Sequence, residues 1–162
     1  MSTSKKEYLE KLIYDINEEN GFLIRTKLWS SPDVGFSYNK SRTCKLMDDI
    51  MKDIINGRDE RSDVICYLSD WGTVAEGIIF TTTAIYVKTP KNKYKEFMIR
   101  YEDIDYTYYD NSSDDITLEI HTKSGLQRDI THVMFSKKNI KRFLDEVIAY
   151  YKKENEDIEL IW

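Results

Sequence analysis

The apolar positions of this chain switch between a helical and a strand period five times. Leu9, Leu12, Ile13 and Ile16 recur at three- and four-residue spacing, which places them on one face of a helix. Ahead of them, Ser4-Lys5-Lys6-Glu7 has capping-box form, with a hydroxyl and a carboxylate to satisfy the free backbone donors of a first turn. The spacing predicts a helix from Ser4 that stops at Gly21. Phe22, Ile24, Thr26 and Leu28 alternate, predicting a strand over 22–29 that Ser30-Ser31-Pro32-Asp33 breaks. A second helical stripe follows from near Ser41, with Cys44, Met47, Ile50, Met51, Ile54 and Ile55 buried and Asn56-Gly57 as its end.

Past a charged connector over 58–62 the strand period takes over. Residues 63–68 read as a buried strand and 69–72 as a turn. Further strands are predicted over 77–80, 84–88, 96–100, 105–109, 116–122 and 126–133. Turn chemistry separates them at Thr89-Pro90-Lys91-Asn92, Asn111-Ser112-Ser113 and Lys123-Ser124-Gly125. The helical period returns after a capping Ser136. There Ile140, Phe143, Leu144, Val147, Ile148 and Tyr151 share one face, opposite Lys137, Lys138, Lys141 and Arg142. Phe143, Leu144 and Val147 are expected to pack on inward strand residues such as Ile79, Ile85 and Leu118. The alternation of Ile158, Leu160 and Trp162 predicts a final edge strand.

This order predicts an α+β fold: an antiparallel sheet or partly open barrel closed by a C-terminal helix, with an N-terminal two-helix segment. The compositional shift at 57–62 divides the chain into 1–62, helical with one strand, and 63–162, the β domain with its helix. The two halves are read either as separate units or as one continuous domain. Three segments, G-I-I-F-T-T-T-A-I-Y-V-K, I-R-Y-E-D-I and K-R-F-L-D-E-V, resemble the pleckstrin-homology-like superfamily, including its bacterial and GRAM-type members. In that family the matching hairpin carries threonine at its turn, here Thr81–Thr83. The segment matching Tyr101-Glu102-Asp103-Ile104 leads into the next strand. The resemblance covers the C-terminal half and implies a fold more than a function, because such folds host unrelated partners.

Composition narrows the function classes. With 41% hydrophobic and 33% charged residues over 162 positions, the chain is built to fold around a core. A net charge of -5, from 24 basic and 29 acidic residues, argues against a general affinity for nucleic acid or anionic lipid. Cys44 and Cys66 form no disulfide framework, which points to a reducing compartment. Met1-Ser2-Thr3-Ser4-Lys5-Lys6-Glu7 lacks the apolar core of a signal peptide, and no apolar run is long enough to span a bilayer. A cytoplasmic protein without a transmembrane segment is expected.

Catalytic candidates are few. His121 and His132 flank a turn on predicted strands, and Glu119 or Asp129 could orient one of them as a general base. Two strand histidines facing solvent are the plainer reading. No phosphate-cradling glycine loop is visible among 6 glycines. The cysteines and histidines lack metal-ligand spacing. The Asp110-Asn111-Ser112-Ser113-Asp114-Asp115 run lacks the glycine and distal glutamate of a calcium loop. Neither metal nor cofactor is expected.

Charge is sharply segregated. Lys88, Lys91, Lys93, Lys95 and Arg100 cluster on one hairpin, with Glu96 the one acid among them. Glu102, Asp103, Asp105, Asp110, Asp114, Asp115 and Glu119 follow, with no Lys or Arg from Tyr101 to Thr122 and with Tyr101, Tyr106, Tyr108 and Tyr109 interleaved. A surface of carboxylates and phenols steers a basic partner and then anchors it through aromatic rings. The expected function is a non-catalytic protein-binding module, most concretely an immunity or inhibitor protein that neutralises a basic toxin such as a nuclease. Its docking residues would be Tyr101, Glu102, Asp103, Asp105, Tyr106, Tyr108, Asp110, Asp114 and Asp115. One alternative is an adaptor reading a lipid head group or a membrane-associated partner through Lys88, Lys91, Lys93 and Lys95. The other is an enzyme using His121 or His132.

Overall fold

The structure is a computed structural model that describes residues 4–19, 28–29, 64–69, 77–88, 96–112, 116–131 and 137–160. Helix α1 (Lys5–Glu19) begins where the capping box predicts. The Ser4 hydroxyl accepts a hydrogen bond from the Glu7 N–H at 3.2 Å, and the Ser4 carbonyl accepts one from Tyr8 at 2.9 Å. Leu9, Ile13 and Ile16 of the predicted stripe are fully buried, and Leu12 packs at the edge of the same core. The second predicted helix and most of the strand over 22–29 fall outside the described residues.

Among the described residues the strands fall into two antiparallel sheets. The first is a meander of β1 (Leu28–Trp29), β2 (Val64–Ser69), β3 (Gly77–Thr81), β4 (Ala84–Lys88) and β5 (Glu96–Arg100), each hydrogen-bonded to the next. Cross-strand register sets Cys66, Phe80, Ile85 and Ile99 in one inward row, and Ile78, Val87 and Phe97 in the next. The second sheet is β6 (Ile104–Asp110), β7 (Thr117–Thr122) and β8 (Gln127–Ile130), again in chain order. Helix α2 (Lys137–Leu160) closes the core, burying Ile140, Phe143, Leu144, Val147 and Ile148 against both sheets and α1.

Three expectations are corrected. Ile158 and Leu160 belong to α2 and form no edge strand. Their alternation is too short to compete with a helix already running from Lys137. Ile79 does not face Phe143: it pairs with Tyr86, which pairs in turn with Met98, on the opposite side of the first sheet, where Ile79 and Tyr86 are also buried. Tyr101 is a core residue, 1% exposed. It opens the 3-10 turn Tyr101–Asp103 that carries the chain from one sheet to the other. Its N–H donates to the Thr83 carbonyl at 2.9 Å, and its phenol donates to the Thr81 carbonyl at 2.7 Å. The Thr81 hydroxyl in turn accepts from the Thr83 and Ala84 N–H groups at 3.1 and 3.0 Å, bracing the β3–β4 turn. Thus the threonine turn and the Y-E-D-I segment form one joint.

The N-terminal helix shares the core of the β domain. Leu9, Ile13 and Ile16 lie in the same apolar cluster as Phe80, Leu118 and Phe143. Outside that cluster Tyr8 stacks on Tyr150 with centroids 4.6 Å apart, and the Lys5 ammonium lies 4.5 Å from the centre of the Tyr151 ring.

Candidate functional site

The second sheet has one face turned to α2 and one turned to solvent. On β7 the alternation is strict: Leu118, Ile120 and Thr122 are buried, while Thr117, Glu119 and His121 point outward. Register carries this alternation to the neighbouring strands. Tyr106 lies opposite His121, which lies opposite Gln127; Tyr108 lies opposite Glu119, which lies opposite Asp129. A third outward rung joins Asp110 to Thr117, whose hydroxyl is 3.0 Å from that of Thr131. The outward face is therefore a three-by-three grid in which directly opposed side chains are close enough to touch.

Contacts within the grid fix its groups. The Tyr106 and His121 rings lie 4.3 Å apart and 9° from parallel. His121 Nε2 is 2.8 Å from Glu119 Oε1. The Gln127 amide donates to Asp129 Oδ1 at 2.8 Å. Asp110 Oδ1 accepts from both the N–H and the hydroxyl of Ser112, at 2.9 and 2.6 Å. Those bonds hold the Asp110 carboxyl below its ordinary range, so it stays ionised. Tyr106 is 50% and Tyr108 54% exposed. Two large aromatic rings thus stand half in water on one sheet face.

The scaffold behind the face is firm. At the β7–β8 turn the Thr122 hydroxyl accepts from the Leu126 N–H at 3.0 Å, and Gly125 takes a φ of +89° that side-chain-bearing residues rarely adopt. On the inner side of β6 the Thr107 hydroxyl donates to Asp145 of α2 at 2.5 Å. Lys141 bridges the pair, 2.8 Å from Asp145 and 2.9 Å from Thr107. The Lys138 ammonium sits 5.6 Å from the centre of the Tyr109 ring. Tyr109 and Thr107 are thus committed to the helix, leaving Tyr106 and Tyr108 to the outside.

The predicted docking residues divide accordingly. Tyr106, Tyr108 and Asp110 share the outward face, and Asp105 is exposed at the irregularity where β6 begins to pair. Glu102 and Asp103 are exposed in the corner turn instead. Glu102 lies towards α2, beside Tyr151 and Lys152. Tyr101 is interior and leaves the set. Asp114 and Asp115 lie outside the described residues, as do Lys91, Lys93, Lys95 and His132. Lys88 is half-buried at the end of β4, opposite Glu96. Glu119 does orient a histidine, His121. Gln127 and Asp129 join them on the face. The T-L-E-I-H-T alternation of β7 carried the signal for Glu119 and His121; the turn at Gly125 sets the register that brings in the other two.

Among the described residues no group of three or more His, Cys, Asp or Glu is placed to hold a metal ion. None of their helices is long and apolar enough to cross a membrane. Comparison with protein-family models, curated proteins and solved structures gives no match.

Proposed function

We propose that this chain is a non-catalytic protein-binding module that docks a basic protein on the outward face of β6–β8. Its most concrete form is a cytoplasmic immunity or inhibitor protein that neutralises a basic toxin such as a nuclease. The observation that carries the reading is the grid itself: two half-exposed tyrosines on the same face as the carboxylates of Asp110, Glu119 and Asp129. Aromatic rings supply contact area at low entropic cost, while the surrounding acids steer a cationic surface into register. Membership of the pleckstrin-homology-like superfamily is part of the proposal. It is supported by the order of two antiparallel sheets, a corner between them and a closing helix.

The test is capture of the partner from the native host, its identification, and measurement of its affinity for wild-type and altered protein. Changing Tyr106 and Tyr108 together to Ala should weaken binding at least about tenfold, since anchoring aromatics dominate such interfaces. Reversing Asp105 and Asp110 to Lys should slow association and flatten its dependence on salt. Binding indifferent to both changes would rule out this face. The adaptor reading makes a different forecast, flotation with anionic vesicles that Lys91→Glu abolishes. The enzyme reading requires turnover that disappears in His121→Ala or His132→Ala.

A further inference from the structure

We infer that β5 is an edge for self-association: two copies of this chain pair their Glu96–Arg100 strands antiparallel about a twofold axis at Met98. This edge is separate from the docking face, which lies on the second sheet. β5 is the last strand of the first sheet, and among the described residues only β4 pairs with it. The Tyr101 N–H donates to the Thr83 carbonyl at 2.9 Å, continuing the β4–β5 register by one pair. Ladder bonds alternate from there. Phe97 and Ile99 therefore bond to β4, while the N–H and C=O groups of Glu96, Met98 and Arg100 point away from it.

The edges of the second sheet are closed, and this one is not. There the 2.8 Å bond from the Thr122 N–H to the Leu126 carbonyl sets the alternation, which turns the carbonyls of Thr107 on β6 and Gln127 on β8 outward. Lys141 Nζ donates to the first at 3.3 Å, and the Arg128 guanidinium donates to the second at 2.9 Å. A register shift also interrupts β6 between Ile104 and Tyr106. β5 has none of these devices that keep edge strands from pairing. Its register with β4 is unbroken, it holds neither proline nor lysine, and its charges stand only at its two ends.

The sequence E-F-M-I-R is complementary to a second copy of itself. Antiparallel pairing about Met98 sets Glu96 of each copy opposite Arg100 of the other, and Met98 opposite Met98. These are the residues whose backbone groups point outward, so each opposed pair exchanges two hydrogen bonds, about six across the axis. Glu96 and Arg100 are both exposed, and opposite charges directly across a strand pair attract. Lys88 stands across from Glu96 on the β4 side, and a carboxylate has room for both cations. On the inward face the half-buried Phe97 meets Ile99 of the second copy. A slip of two residues would set Glu96 against Met98 and lose the charge match. A strand pair this short is small for a permanent interface, so the association is weak and reversible.

Sedimentation of the full chain from micromolar to millimolar concentration should show its mass rising from 19.3 kDa towards twice that value. Over the same range amide hydrogen exchange should slow at Glu96, Met98 and Arg100, and stay as it was at Phe97 and Ile99, which already bond to β4. Glu96→Arg, and separately Arg100→Glu, places like charges across the axis and should weaken self-association about tenfold. Making both changes together restores opposite charges and should recover it. A single-chain mass at millimolar concentration would overturn the proposal. So would a dimer that the single changes leave unaltered, that the double change does not recover, or that forms without slowing exchange at the three outward amides.

Discussion

Removing one oxygen, in Tyr101→Phe, probes the joint between the two sheets. The ring would keep its edge contact with Phe143 and its tilted contact with Tyr151, centroids 6.1 and 6.3 Å away, so packing is almost unchanged. What is lost is the 2.7 Å bond to the Thr81 carbonyl, in a place where Tyr101 is 1% and Thr81 0% exposed. A buried acceptor deprived of such a donor costs about 1–3 kcal/mol. Tyr101→Ala adds the loss of the ring itself and should cost about 3–5 kcal/mol, the range for emptying an aromatic site. Chemical denaturation of the three proteins, with the denaturant slope checked for constancy, measures both steps. For a chain of this size each kcal/mol lowers the thermal midpoint by about 2–4 °C. If Tyr101→Phe left the midpoint unmoved, the phenol would not brace the β3–β4 turn. If Tyr101→Phe were as damaging as Tyr101→Ala, the separation of hydrogen bond from packing would be wrong. The same Phe variant should bind the partner normally, because Tyr101 is no part of the outward face.

The remaining predictions concern other layers of the molecule. Leu144→Ala, at a site with 0% exposure in the centre of α2, should cost about 2–5 kcal/mol in denaturant melts; a cost near zero would mean that α2 does not close the core. Gly125→Ala should cost about 1–2 kcal/mol through backbone conformation alone, because φ is +89° while an added Cβ meets nothing within 4 Å. Asn at the same position, which tolerates left-handed backbone, should recover part of that loss. In alkali, burial and then the nearby Glu102 and Glu154 carboxylates push the Tyr151 phenol up to about 12, and a hydrogen bond to Glu154 first of all does the same for Tyr150. The folded state therefore keeps phenolic protons that the unfolded chain releases near 10.0. Stability should be complete below pH 10.0 and decline as pH rises towards about 12. Unfolding midpoints across that window, repeated with Tyr151→Phe, check the assignment, which requires a shallower decline in the variant.

Where one face is wet and the other dry, the alternation of the sequence told which side chains point inward. On β7 this worked residue by residue, and on α2 the stripe from Ile140 to Ile148 is buried as its spacing implies. It failed on β3 and β4, because G-I-I-F and A-I-Y-V are apolar on both faces. A strand buried on both sides has no period, so Ile79 could not be told from Ile78. Tyr101 was misread for a related reason. A phenol in an acidic segment looks like surface, and only the partner carbonyl of Thr81, twenty residues earlier, reveals why it can be interior. The candidate site was legible in pieces. Glu119 and His121 stood out as a possible acid–histidine pair and Tyr106 and Tyr108 as possible anchors. Their union on one face depends on cross-strand register, which composition does not encode.

The pairing of α1 with α2 has a consequence for how the protein is made. Leu9, Ile13 and Ile16 are translated long before Phe143, Leu144 and Val147, yet both sets belong to one apolar cluster. The side of α1 that meets α2 therefore stays uncovered until the last helix is made, even though its other contact, with β2, is available earlier. Contacts between residues so distant in sequence slow the search for the native state and prolong the exposure. Chaperone demand and aggregation during expression should fall when α1 and α2 are made consecutively by circular permutation, without any change in the finished architecture.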